Sequence, residues 1–454
     1  MMTIKRTHGA IADDNGALDR AREAKRPCLD LDPEEEEEGR DVVGAIPLAG
    51  ELYDAAYLAE RKAELYARGY TSFADLMADP ERRWFYAFFN QWLTSRRMPN
   101  GQPTGANMDD PSTFARRSEA LPVTNIHGIE KYQIGQALMM WLLRMHPKVL
   151  QVFAFLHGCE IDDLVTSLDG ACILPNTARP GPKTKKGGEP AITEGGDVFG
   201  WLHLDQGSAF TGARKATCYQ SFYNYDDTTF DVASQRTMPT FACVPGSHAH
   251  HDAFVADHGI GKANWHVISG AEYDWYKARG MAATPISIAE NALFVWDSRT
   301  AHQSLPARSR PATGAPISIR RVAYVSMLPA ATRTARDRAA AAKIFADARA
   351  TTSHWAGHGG LKANGKPRIY SKEDKERLPA AAAHTIAGAA DFQALPAAEF
   401  GDVMLLHDSL TTRDAVPLHI AQGLRRNGGT GAIGHVPIDR VCSALLAIVE
   451  AKQV

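Results

Sequence analysis

The sequence predicts an α+β protein: a helical N-terminal part, an antiparallel β sandwich or barrel in the middle, and a C-terminal extension that is helical and irregular. Three observations carry this reading. Apolar residues recur at helical spacing before residue 160, and short alternating segments separated by turn residues fill Leu164 to Met327. Beyond Pro329 the chain is Ala-rich and poor in strand-forming runs. The expected organisation is therefore a tail over 1–45, a helical part over 46–160, a β core over 161–330 and an extension over 331–454.

Composition sets the class. The chain has 454 residues, 44% hydrophobic and 22% charged, with a net charge of -2, which is a globular balance with no electrostatic case for nucleic acid or an acidic membrane. The six cysteines are scattered without a C-x-x-C pair, so reduced thiols in the cytoplasm, or the nucleus, are expected. No apolar signal run opens the sequence, and the most membrane-like stretch, from Tyr132, is interrupted by Arg144, His146, Pro147 and Lys148. It reads as two buried helices instead, the second begun by Pro147 in its first turn.

Residues 1–45 carry the acidic run Glu34–Glu38 and few large apolar groups, so they read as a disordered tail. Lys5-Arg6 and Lys25-Arg26 admit a split nuclear signal, against the simpler reading of a solvated tail. From Leu52 through Ala55, Tyr57, Leu58 and Leu65 the spacing predicts a helix that Gly69 ends. A second, aromatic-rich helix follows, with Trp84, Phe85, Phe88 and Phe89 expected in the core. In the central region "LVTSLDGACIL", "VFGWLHLD", "ATCYQSFYNY", "TFACVPGS", "TPISIAENALFVWDS" and "ISIRRVAYVSML" read as strands, without intervening helices of βαβ length. The Pro/Gly/Lys-rich stretch 176–197 reads as a loop able to act as a lid, and 332–349 and 439–452 read as helices, Asp439 capping the second.

Chemistry concentrates in the strand region. His203 and Asp205 sit two apart, so on a strand both side chains share a face. His302 follows an apolar segment farther on, Ser304 lies two residues later, and Arg320-Arg321 open another strand. Two imidazoles and one carboxylate occupy one face of an octahedral iron(II) and leave adjacent positions open. A 2-oxo diacid bound there needs a fork of donors for its remote carboxylate, which an arginine supplies.

Pro245-Gly246-Ser247-His248 falls between the two ligand segments. With it, the order H-x-D, P-G-S-H, H-x-S and R-R resembles the phytanoyl-CoA dioxygenase family of iron(II)/2-oxoglutarate oxygenases, well over 160–330 and more loosely in the helices before. The resemblance implies a double-stranded β-helix (jelly-roll, cupin-like) core with flanking helices. It implies iron held by His203, Asp205 and His302, and 2-oxoglutarate bound by Arg320 and Ser304, with dioxygen as the other reactant. Strand alternation sends Arg321 to the opposite face, and Tyr219 or Gln220, on a later strand, is expected to reach the co-substrate. The loop between His302 and Arg320 is longer than the family norm and keeps Arg308 and Arg310 as alternatives. His248, His250 and His251 read as exposed turn residues, not metal ligands. Trp201 either lines the substrate pocket or packs in the core.

The implied activity is hydroxylation of a small molecule with release of succinate and CO2. Asp205 is intact where related halogenases carry a small residue, which agrees with that activity. Two other readings stay beside it: a catalytically inactive binding or structural protein, and a cupin-type isomerase or hydrolase. The absence of an evident fourth ligand and the presence of the Arg/Ser pair argue against the last.

Overall fold

The computed structural model describes residues 52–79, 138–175, 201–207, 217–228, 239–261, 264–305, 319–346 and 354–356, with shorter pieces at positions between 82 and 136, at 191–192, 198–199 and 351, and at 432–433 and 436–437. All belong to the unit Pro47–Val454. The tail over 1–45, most of the loop over 176–197, Arg308, Arg310, the helix expected over 439–452, Trp84 and Phe88 lie outside the described residues.

Helix α1 (Ala55–Arg68) starts where Asp54 accepts a hydrogen bond from the Tyr57 amide at 2.7 Å and stops at Gly69, whose φ of 83° only glycine adopts without strain. Leu58 and Leu65 face inward, while Leu52 stays exposed. Helices α2 (Leu138–Met145) and α3 (Pro147–His157) confirm the paired helices, with Pro147 in the first turn of α3 and Gly158 as its left-handed stop. No helix among the described residues is long and apolar enough to cross a membrane.

The strands in chain order are β1 (Tyr70–Phe73), β2 (Ile129–Glu130), β3 (Leu164–Thr166), β4 (Ala171–Pro175), β5 (Ala191–Ile192), β6 (Val198–Phe199), β7 (His203–Leu204), β8 (Tyr219–Asn224), β9 (Thr240–Cys243), β10 (His266–Val267), β11 (Thr284–Ile286), β12 (Ala292–Asp297), β13 (His302–Leu305), β14 (Ile319–Pro329), β15 (Ala432–Ile433) and β16 (Val436–Pro437). Two antiparallel sheets dominate. The larger runs β1-β12-β8-β14-β4-β2, with β3 also on β14, and the smaller runs β10-β7-β13-β9-β11.

Alternation along the larger sheet makes two cores. Tyr219, Tyr223, Leu293 and Val295 pack with Leu58, Phe85 and Phe153 of the helical part, while Phe222, Phe294 and Trp296 pack with Phe241 and Ile286 of the smaller sheet. Both faces of β8 and β12 are covered, so every residue of these strands is buried.

The structure departs from expectation between β9 and β11. Two short helices stand there, α4 (His251–Asp257) and α5 (Gly270–Lys277). A reciprocal cap between Ser269 and Glu272 starts α5, and Phe254, Tyr273 and Tyr276 bury against Leu202 and Leu204 behind β7. The histidines of this region are also not all exposed. His250 is, but His248 donates from Nε2 to the Tyr66 carbonyl at 3.0 Å, and His251 donates from Nε2 to the Gln206 carbonyl at 2.8 Å. Beyond the core, α6 (Ala335–Ala346) matches the helix expected over 332–349.

Gly69 joins these parts. Its carbonyl accepts from the Asp297 amide at 2.9 Å and from Thr300 Oγ1 at 3.0 Å. A Cβ there would lie 2.6 Å from both His248 Nδ1 and Thr300 Oγ1. Gly69→Ala should cost about 2–4 kcal/mol in urea unfolding, from backbone strain plus the clash. Gly158→Ala has the same backbone sign and open space around it, so a Gly69→Ala effect no larger than that control's would contradict the packing account.

Burial pushes the ionisation of His157 and His248 below the ordinary histidine value of 6.5, so both are neutral in the fold. The unfolded chain binds protons first as pH drops below about 6.5, so stability should fall from there toward the lowered folded values. The His157→Gln/His248→Gln double variant should show a flatter decline in unfolding free energy between about pH 6.5 and 5. An unchanged slope would remove these two histidines from the account.

Candidate metal centre

Among the described residues, His203, Asp205 and His302 form the one group of three or more His, Cys, Asp or Glu side chains whose ligand atoms all lie within 4.8 Å of one another. Register brings them together. His302 pairs across the ladder with His203 on one side and Cys243 on the other, and the two imidazole centroids are 4.4 Å apart. Asp205 follows β7 directly, and its Oδ2 lies 3.7 Å from His203 Nε2 and 3.4 Å from His302 Nε2.

Backbone carbonyls set both imidazoles. His203 Nδ1 meets the Trp201 carbonyl at 3.1 Å and His302 Nδ1 meets the Thr300 carbonyl at 2.9 Å. A carbonyl only accepts, so each Nδ1 carries the proton and each Nε2 turns a lone pair inward. Burial, with His302 beside it, pushes the ionisation of His203 down to about 4, so it is neutral at physiological pH. Burial works to raise the Asp205 carboxyl, yet His203, His302 and His354 around it hold it well below the usual carboxylate range. Two inward lone pairs facing an ionised carboxylate repel one another. A cation between them removes that repulsion, so the donor set fits a divalent metal.

The walls are aromatic. Trp201 stacks on His203 at 4.4 Å and donates from Nε1 to the Ser304 carbonyl at 3.1 Å, so it buttresses that imidazole. Phe241 stacks on His302 at 5.5 Å. Trp265, 56% exposed, has its ring 6.4 Å from that of His203. The P-G-S-H turn supports the site without entering it, since Ser247 Oγ accepts from the Ala301 amide at 2.9 Å, one residue before His302.

The second cluster is basic. Arg320 is 1% exposed, lies over the Phe222 ring at 5.0 Å, and reaches Ser304 Oγ at 3.5 Å. Its Nε has no partner and it meets no carboxylate among the described residues. Arg321 takes the opposite face, as alternation predicts, where it pairs with Asp226 and lies over the Tyr225 ring at 4.5 Å. Of the two neighbours on β8, Gln220 donates from Nε2 to Asp205 Oδ2 at 3.2 Å. Tyr219 points to the helical side, its ring 5.2 Å from that of His157, so the expected contact with a co-substrate does not extend to it.

Sequence reasoning missed His354 and Trp355. Trp355 donates from Nε1 to the Asp205 carbonyl at 3.2 Å, and His354 Nδ1 lies 3.9 Å from Asp205 Oδ2. Their signal was faint: a His-Trp pair, "SHWAGHGG", in a segment otherwise rich in alanine. Gln206 was also missed; its carbonyl takes His251, and its side chain accepts from Ser298 Oγ at 2.5 Å.

No family model matches the chain. It is 26% identical over 259 residues, 55% of this chain and 71% of the other, to Ava biosynthesis cluster protein O of Aspergillus versicolor. Similar solved structures include the non-heme alpha ketoglutarate dependent carbocyclase SnoK from nogalamycin biosynthesis, at 14% identity and TM-score 0.37, covering 62% of this chain and 87% of that one. They also include the epimerase SnoN in complex with Fe3+, alpha ketoglutarate and nogalamycin RO, at 15% identity and TM-score 0.36, covering 70% of this chain and 98% of that one.

Proposed function

We propose that this chain is an iron(II)- and 2-oxoglutarate-dependent oxygenase that hydroxylates a small-molecule substrate. The observation that carries the reading is the pairing of two unmet charges in one interior: a His-Asp-His face that fits a cation, and the buried, acid-free Arg320 beside Ser304. The strand order supports a double-stranded β-helix over 161–330, since β4, β8, β12 and β14 share one sheet and β7, β9, β11 and β13 the other. The part over 46–160 backs the larger sheet, and 331–454 is the extension.

In this reading His203, Asp205 and His302 hold the iron on one face. Arg320 grips the remote carboxylate of 2-oxoglutarate with its planar fork, and Ser304 adds a hydroxyl. Gln220 holds Asp205 Oδ2 in place from the larger sheet. Bound iron supplies the oxidation by dioxygen, coupled to conversion of 2-oxoglutarate to succinate and CO2. The surrounding Trp201, Phe241 and Phe222 keep water from the reacting groups.

The test is iron(II) and 2-oxoglutarate binding without oxygen, then oxygen exposure with succinate measured. Wild type should release succinate, and the His203→Ala/Asp205→Ala variant should not. Equal release from both would sink the enzymatic reading and leave a binding or structural protein.

The two arginines separate binding from stability. Arg320→Ala should weaken 2-oxoglutarate binding by at least about tenfold, the worth of a charge-assisted fork, with little loss of stability. Arg321→Ala should leave that affinity intact and lower the unfolding free energy by about 1–3 kcal/mol, since Asp226 loses its partner. A loss of affinity confined to Arg321→Ala would reverse the assignment.

A further inference from the structure

The C-terminal extension reaches the metal centre. Three contacts fix the segment around His354. The Thr351 amide donates to the Leu168 carbonyl at 2.9 Å, and Arg333 donates from Nε to the Ala356 carbonyl at 2.6 Å. Trp355 and Ala356 are buried with Val165, Cys218 and Leu328. Anchored on both sides, His354 is buried at 7% exposure and directs Nδ1 to within 3.9 Å of Asp205 Oδ2.

That oxygen is the one both metal-facing imidazoles approach. His302, His203 and His354 stand 3.4, 3.7 and 3.9 Å from it. Yet His354 is not among the side chains whose ligand atoms all converge within 4.8 Å, so it borders the carboxylate from outside the three-residue face. Trp355 meanwhile ties the main-chain carbonyl of the same residue. A carboxylate on a short turn after a two-residue strand keeps rotational freedom beyond its single hydrogen bond from Gln220, and ordering it costs entropy at the moment a metal binds. Groups packed around it in advance remove that cost.

Resting on the metal-centre reading above, we propose that His354 is a positioning residue for Asp205, and that the extension thereby belongs to the metal site and is not an appended unit. His354 limits the carboxylate to the orientation that presents Oδ2 to the face. Trp355 holds the backbone from which it projects.

Cobalt(II) titration of the full chain, followed by its visible absorption bands, tests this without turnover. His354→Leu fills similar space without a polar nitrogen and should weaken cobalt binding about 10–100-fold and shift the bands, as loss of an outer partner of a metal ligand does. His354→Asn, whose amide nitrogen stands where Nδ1 stands, should retain affinity within about threefold of wild type. Trp355→Phe keeps the packing and deletes the donor, and should weaken binding in the same direction. Melting of the metal-free proteins checks that each variant is folded, and the Asn variant supplies the comparison where the Leu variant is not. Wild-type affinity and spectrum in His354→Leu, or an Asn variant as weak as the Leu variant, would overturn the proposal. Cobalt binding by His203→Ala equal to wild type would overturn the metal-centre reading itself, a different result.

Discussion

The cross-strand pair of His203 and His302 is the constraint on which the site depends. β7 is two residues long, too short to set its own register, so the pairing is imposed from β13, which is held over four residues by β9. Side chains alternate along a strand, so a slip of one residue would turn His302 into the wall and bring Gln303 inward. The turn before β13 guards against that slip. Ala301 is tied to Ser247 through its amide and to Val244 through its carbonyl, and Thr300 is tied to Gly69. The same Thr300 turns its carbonyl onto His302 Nδ1. Register and imidazole orientation thus come from one piece of backbone.

That backbone in turn rests on the end of α1. Arg68, Gly69 and Tyr66 offer carbonyls to Gly246, Asp297, Thr300 and His248, so the last turn of the helix plugs the turn after β9 and the turn before β13. The helical part is therefore more than a cover for the larger sheet. It is the abutment for the strand that carries His302, and only a residue without a side chain leaves room at position 69 for both turns to close on it.

How much of this the sequence disclosed follows from the range of each signal. Local stops and starts were legible: Asp54, Gly69, Pro147 and Gly158 bound α1 and α3 by capping chemistry that acts within a few residues. Alternation was equally legible, and on sequence alone it separates Arg320 from Arg321. It did not choose between Tyr219 and Gln220, because alternation says that two neighbours part company but not which one faces which layer. The short helices α4 and α5 escaped notice since seven or eight residues hold barely two turns of periodicity, and the Ser269–Glu272 cap was the sole clear mark. His354 and Trp355 lie 149 and 150 residues from Asp205 in a segment with no periodic pattern, and nothing local signals a closure of that length.

The two arginines also show what the interior is built to receive. Arg321 is paired with Asp226 and stacked on Tyr225, so its charge is met within the chain. Arg320, one residue away and more deeply buried, faces an aromatic ring and a hydroxyl but no acid among the described residues. Burying a guanidinium without an acid costs several kcal/mol, and two more hydrophobic side chains would be the cheaper wall. At the other cluster the demand has the opposite sign, since Asp205 and two lone pairs fit a cation. Ser304 belongs to both clusters, its hydroxyl near Arg320 and its strand two residues on from His302. In the proposed reading a divalent cation answers the second deficit, and a diacid that holds the cation at one end and Arg320 at the other answers the first. The fold gives up stability at two adjoining points, and in that reading a metal ion and the acid it holds restore it together.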